Sequence, residues 1–310
     1  MSSSSVWVFD LADNILLFLG LDEDQQTLSA CSLVCKAWHM PASRLLFRTI
    51  RFHRHIHSKA SNTPMPQYAD LVSFLRSCER ARPYVQTLFL RQATTNTHSA
   101  LDGSMSEPQA AAMPMEMLED LINMLPNLRT LCLGVGGSFH VCVSRQPSRT
   151  LSSSRIERLV FGDILGSRGT DILTIIFLFR RVGELLVSPF LRQPHGDQVL
   201  RGLPAAPPLS DFLPDEHTLL LDSLSLQFQD ASSLQSHFLR SLLTTLPTPR
   251  LRIRRLRCFV AERFDGLEFL EHFLQLGSAE LEDIGVRLFS SNVNIGFLTP
   301  LNGMPLCRII

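Results

Sequence analysis

The chain has 310 residues, of which 45% are hydrophobic, and its 29 basic and 29 acidic residues cancel to a net charge of zero. So apolar a composition excludes disorder over most of the length, and supports two domains or one elongated array. The charge balance excludes any electrostatic demand for nucleic acid or an anionic membrane as partner.

From the N-terminus, MSSSSVWVFDLADN lacks a basic leader region and meets acids early. With seven cysteines, an odd count without framework spacing, this sets a reducing, intracellular compartment, cytoplasmic or nuclear, as the expectation. Leu11, Ile15, Phe18 and Leu19 form one helical stripe, Gly20 offers a stop, and the acids at 22–24 favour the start of a second helix. That helix is predicted from Gln25 to about His39, with Leu28, Cys31, Cys35 and Trp38 on one face. Ala30, Leu33, Val34 and Ala37 make a second apolar stripe. A unit this small cannot bury both, so part of its surface is predicted to be covered by a partner or by the following domain. Cysteines four apart on a helix hold their Cβ atoms roughly 5–6 Å apart, beyond the roughly 3.5–4.5 Å of a disulfide. Cys78, Cys132, Cys142, Cys258 and Cys307 are scattered, unlike zinc ligands. Buried thiols acting as small hydrophobes are therefore expected, with no metal and no cofactor.

The segments LADNILLFL, LSACSLVCKAW and SRLLFRTIRF together resemble the F-box of fungal F-box proteins, over about residues 6–52, a sixth of the chain. Asp10, Leu11, Asp13, Ile15, Leu16, Cys31, Ser32, Leu33, Val34, Cys35, Lys36, Trp38, Arg44, Leu46 and Phe47 match that pattern. The resemblance implies a helical domain at 1–52 that docks on the Skp adaptor through Val8, Leu11, Ile15, Leu16, Leu33, Val34 and Trp38. Val8 stands where the family carries proline, and that departure raises the alternative of an F-box-derived interaction scaffold outside any ubiquitin ligase.

Beyond this region a six-residue pattern, apolar at positions one, four and six, recurs as FRTIRF (47), VQTLFL (85), LRTLCL (128), IERLVF (156), VGELLV (182), LDSLSL (221), IRRLRC (253) and LEDIGV (281). Each reads as a short strand preceded by one inward residue at a turn. Amphipathic runs precede most of them: YADLVSFLRSCERARPY, EMLEDLINMLPN, TDILTIIFLFRR, SLQSHFLRSLLTTLP and GLEFLEHFLQLGSAE. IIFLF at 175–179, the longest uninterrupted apolar run near Ile175, is far short of the roughly 18 residues a membrane span needs, so a soluble protein without a transmembrane segment is expected. Helix then strand, repeated every few tens of residues, predicts a leucine-rich-repeat-like solenoid at 53–310. Its units are irregular and have no asparagine ladder, since the places three residues after the last seven hexamers hold Ala93, Gly136, Ile164, Phe190, Gln229, Ala261 and Phe289. This half also resembles the C-terminal regions of many fungal F-box proteins. Pro-, Ser- and Gly-rich stretches near 91–114, 144–155 and 193–216 are predicted insertions and candidate recognition loops.

Motifs for catalysis are missing. LGVGGSF (133–139) holds Phe139 at the third glycine position of a dinucleotide fingerprint, so a tight turn between repeat elements is the better reading. His53, His55 and His57 alternate along one side of an extended segment, but the neighbouring Arg51 and Arg54 make a solvated basic edge the better account than a metal site. Arg250, Arg252, Arg254, Arg255 and Arg257 concentrate on one repeat, where a solvated face competes with a patch for an acidic or phosphorylated segment. A nucleic-acid site has no aromatic interleaving to support it. Cys307-Arg308-Ile309-Ile310 is a poor prenylation signal, because Arg308 is not aliphatic.

The fold expected is therefore α/β: a short N-terminal helical F-box followed by an irregular leucine-rich-repeat-like solenoid of helix-strand units. The function implied by the resemblance is a non-catalytic substrate-recognition subunit of an SCF-type cullin-RING ubiquitin ligase. It would bind the Skp adaptor, through it a cullin, and a target protein on the solenoid, with Arg252, Arg254, Arg255 and Arg257 as the candidate target-binding patch.

Overall fold

The six-residue pattern becomes a parallel sheet. A computed structural model describes residues 25–55, 67–93, 113–139, 141–142, 155–164, 169–187, 219–228, 242, 251–261 and 281–289. In chain order the helices are α1 (Gln25–Val34), α2 (Lys36–Leu46), α3 (Tyr68–Ser77), α4 (Met115–Met124) and α5 (Gly169–Ile176), with a 3-10 turn at Arg82–Tyr84. The strands are β1 (Thr49–His55), β2 (Thr87–Ala93), β3 (Met113–Pro114), β4 (Thr130–Phe139), β5 (Val141–Cys142), β6 (Arg155–Ile164), β7 (Arg181–Val187), β8 (Leu219–Phe228), β9 (Leu251–Ile253), β10 (Arg255–Ala261) and β11 (Asp283–Phe289). Nine of them form one sheet in the order β1-β2-β4-β6-β7-β8-β10-β11, with β9 beside the start of β8. Every pairing in it is parallel.

Register explains why the hexamers recur. Their fourth positions, Ile50, Leu88, Leu131, Leu159, Leu185, Leu224, Leu256 and Ile284, lie opposite one another from strand to strand across the sheet. In the six inner hexamers the fourth and sixth positions are buried. Removing such a side chain from water is worth about 1.5–3 kcal/mol. At the far edge Ile284 is 38% exposed, because no described strand follows it.

The helices cover that same face. α3 starts with a reciprocal capping box, in which the Gln67 amide donates to Asp70 Oδ2 at 2.6 Å. It buries Tyr68, Leu71, Val72 and Leu75, the three- and four-residue stripe of an amphipathic helix. α4 buries Met115, Leu118 and Ile122, and from Ile172 to Phe179 the α5 segment is buried throughout, in keeping with a sequence that is apolar except for Thr174. All three helices share one continuous core with the strands. The predicted helices before the last two hexamers lie outside the described residues, apart from the buried, helical Leu242.

Three expectations change. The insertion near 91–114 is narrower, because Gln92 and Ala93 belong to β2, while Met113 is buried and pairs with Val141 in the short β3–β5 ladder. The other two insertions lie outside the described residues, except that β6 already starts at Arg155. LGVGGSF is not a turn between elements. Leu133 pairs with Phe161 and Ser138 with Asp163, so five steps on β4 span two on β6 and the glycines bulge out of a strand that resumes. Gly134 takes the left-handed conformation there, with φ 73°.

The third change concerns the single helix predicted from Gln25 to His39, which is broken. Cys35 is extended (φ −162°, ψ 168°) between α1 and α2. Ser32 returns its hydroxyl to the Ser29 carbonyl at 2.6 Å, a local bond that competes with helix propagation, and His39 Nδ1 donates to the Ser32 carbonyl at 3.0 Å. The two helices form a hairpin with its own small core of Leu28 and Ala42, against which Cys31, Trp38, Leu45 and Leu46 pack. The break overturns the buried cysteine stripe, for Cys35 is an exposed free thiol and Cys31 is half-buried. Contacts of Phe47 with Phe74 on α3 (6.5 Å between centroids) and of Arg44 with the Tyr84 ring in the 3-10 turn (5.6 Å) join the hairpin to the first helical layer.

Candidate functional site

Two surfaces stand out, one on the hairpin and one on the sheet. Where α1 ends, Leu33 and Val34 are 82% and 68% exposed, and Met40 on α2 is 54% exposed. Large apolar side chains this bare are costly in isolation and mark a surface made to be covered. From Gln25 to Arg48 the chain contains no acid, while Lys36, His39, Arg44 and Arg48 are exposed. The hairpin therefore offers an apolar tip with a positive surround. Of the predicted docking residues, Leu33 and Val34 lie at this tip, while Trp38 is half-buried in the hairpin's own core. Val8, Leu11, Ile15 and Leu16 lie outside the described residues. Met40 escaped the sequence reading because the helix is predicted to end at about His39, although Met40 continues the Leu33/Ala37 stripe at helical spacing.

On the sheet, positions three and five of the hexamers turn away from the helices. The fifth positions align as Arg51, Phe89, Cys132, Val160, Leu186, Ser225, Arg257 and Gly285. Arg51 covers the Phe89 ring at 5.4 Å, which places both on the same side. The row starts on Arg51 and reaches Arg257 one strand before its end at Gly285; in its middle Cys132, Val160 and Ser225 are buried, while Phe89 and Leu186 are half-buried. Alternation alone predicts its direction; its apolar middle was hidden by attention to the buried positions.

Charged side chains near the strand starts pair across the sheet. Arg129 meets Glu157 at 3.7 Å and Arg158 meets Glu184 at 2.9 Å. Arg181 grips Asp222 with two hydrogen bonds, Nε to Oδ2 at 2.9 Å and Nη2 to Oδ1 at 3.1 Å. Arg254 reaches Asp222 at 3.7 Å and Glu282 at 3.9 Å. The predicted arginine patch is thereby divided. A bend at Arg254 separates Arg252 on β9 from Arg255 and Arg257 on β10, and Arg254 is committed to carboxylates. Arg252, Arg254 and Arg255 are exposed and Arg257 is half-buried; Arg250 lies outside the described residues.

Nothing resembling a catalytic constellation is assembled among the described residues, and no group of three metal-capable side chains occurs there. His53 accepts a bond from Arg91 at 3.1 Å, as befits a basic edge on the first strand, while His57 lies outside the described residues. Burial pushes the thiols of Cys132 and Cys258 up to about 12, with Arg158 partly opposing it at Cys132. Such thiols are poor nucleophiles. A cleft of about 490 Å³ between α3 and α4 is lined by Arg76, Glu79, Arg82 and Asp120. Its charges serve structure: Arg82 caps the end of α3 through the Leu75 and Arg76 carbonyls, at 2.6 and 2.7 Å, and Arg76 pairs with Asp120 at 3.1 Å. Among the described residues no helix is long and apolar enough to cross a membrane.

No protein-family model matches the chain, and no curated protein matches it.

Proposed function

We propose that the chain is a non-catalytic recognition subunit of an SCF-type cullin-RING ubiquitin ligase. The observation that carries this reading is the bare Leu33–Val34 tip at the end of α1, within the segment that resembles an F-box. The hairpin docks on the Skp adaptor through these two residues and is held against α3 and the 3-10 turn by the Phe47 and Arg44 contacts. Behind it, a leucine-rich-repeat-like array of helix-strand units holds a target protein on the outward row of the sheet. The unbroken register of eight hexamers supports such an array. The chain contributes proximity rather than chemistry, and other subunits modify the target's lysines.

The test is a titration of the purified full-length chain with the Skp adaptor, beside the Leu33→Asp/Val34→Asp variant. Saturable binding is expected. Losing two buried apolar side chains at an interface should weaken it by roughly 100-fold or more. The variant's own folding should be unchanged, because both positions face solvent in the free chain. Absence of binding by the folded wild-type chain would favour an interaction scaffold outside any ligase, the reading to which Val8 in the proline position points.

A further inference from the structure

The second positions of the hexamers hold Arg48, Gln86, Arg129, Glu157, Gly183, Asp222, Arg254 and Glu282. Wherever two of opposite charge stand on adjacent strands they pair: Arg129 with Glu157, Asp222 with Arg254, and Arg254 with Glu282. This row opens on the exposed Arg48 at one edge of the sheet and closes on Glu282, its side chain 62% exposed, at the other.

The backbone repeats in step with the charges. At four second positions the carbonyl accepts the amides of the next strand's second and third residues. Arg48 takes Gln86 and Thr87 at 2.9 and 3.0 Å, Gln86 takes Arg129 and Thr130 at 2.8 and 2.9 Å, Arg129 takes Glu157 and Arg158 at 2.9 Å each, and Arg254 takes Glu282 and Asp283 at 2.7 and 3.3 Å. The Glu282 carbonyl is the next acceptor in that series, and no described strand lies beyond β11 to supply donors. On the opposite edge the Arg48 amide already donates to the Leu45 carbonyl at 3.2 Å, so the corresponding donor is the Thr49 amide. The buried row behaves likewise: its six inner fourth positions are fully buried, whereas Ile50 is half-buried and Ile284 is 38% exposed at the two ends.

We propose that the chain associates head to tail with a second copy of itself, β1 of one copy pairing in parallel with β11 of the other in the register the sheet already uses. Arg48 of one copy then lies beside Glu282 of the other and Ile50 beside Ile284, across the roughly 4.7–4.9 Å that separates paired strands. Charge selects this pairing over the symmetric ones. Two β1 edges would set Arg48 and Arg51 against their own kind, and two β11 edges would do the same with Glu282 and Asp283. Such an interface is heterologous, so each copy keeps one edge open for another. Neither edge includes the Leu33–Val34 tip, so the proposal does not depend on adaptor docking.

The test is sedimentation velocity of the purified full-length chain across micromolar concentrations. The mean sedimentation coefficient should rise with concentration, and less steeply at high salt. Arg48→Glu and Glu282→Lys should each weaken association by roughly tenfold or more, because repulsion replaces attraction. Mixed in equal amounts the two variants should associate again, since the first keeps Glu282 and the second keeps Arg48. Arg80→Glu, a reversal of an exposed charge just after α3, should change nothing. Should circular dichroism show either variant misfolded, Arg48→Gln or Glu282→Gln takes its place. A monomer at every concentration would overturn the proposal and leave the edge charges the role of keeping copies apart. Loss in one variant alone would mark a like-edge pair, and failure of the mixture to recover would show that the two edges do not meet; either result overturns it too.

Discussion

At Gly162 two strands come so close that a side chain has nowhere to go: a Cβ would lie 2.4 Å from the Gly134 carbonyl oxygen and 2.8 Å from the Val135 nitrogen. Both obstacles are backbone, and Gly134 is already committed to its left-handed turn, so neither can yield as a flexible side chain would. Gly162→Ala is expected to cost about 1–3 kcal/mol in urea unfolding, the usual penalty of forced overpacking. Gly285→Ala is the matched control. Its nearest obstacle is the flexible Arg257 side chain at 4.0 Å, and its effect should stay within about 0.5 kcal/mol. Composition could not distinguish these glycines, because the close approach depends on which strand becomes the neighbour.

At the scale of elements, the strands were legible and the breaks were not. The alternate apolar residues of VQTLFL or IERLVF suffice to place a strand and its buried side, and the residues between them are the ones that face outward. At the break the Ser32 hydroxyl turns back to the Ser29 carbonyl and His39 takes the Ser32 carbonyl, contacts that carry no hydrophobic period. The bulge at Gly134 likewise is visible only once β6 lies beside β4. The ion pairs are another property of neighbouring elements. Asp222 on β8 joins Arg181 on β7 and Arg254 just before β10. The two-pronged Arg181 contact should show a coupling of about 0.5–1 kcal/mol in an Arg181→Ala/Asp222→Ala double-mutant cycle, falling at high salt. The Arg254–Asp222 cycle, with its 3.7 Å separation, should give a smaller value.

For the molecule as a whole, the mixed α/β architecture with one parallel sheet agrees with the sequence reading, since every hexamer contributes to one register. The candidate surfaces were half legible: Leu33 and Val34 stand exposed as the two-stripe argument required, while Trp38 turned inward because the hairpin needed a core of its own. The core also sets how stability responds to alkali. Burial raises Cys132 and Cys258 from 9.0 to about 12, so between those values the folded chain keeps protons that the unfolded chain releases. Stability is therefore complete below about pH 9 and declines as pH rises, by about 1.4 kcal/mol per pH unit for each thiol. Urea unfolding between pH 8 and pH 10.5 should show that decline, and a Cys258→Ala variant should show a shallower one.

Strand order that follows chain order has a last consequence, for folding. Each strand of the large sheet finds its partner in a neighbouring stretch of chain rather than at the far end of it, and a nucleus formed anywhere can grow in both directions. Cooperativity then passes from neighbour to neighbour, and a lesion such as the one at Gly162, placed between β4 and β7, would uncouple two halves where the same lesion at Gly285 would only fray an end.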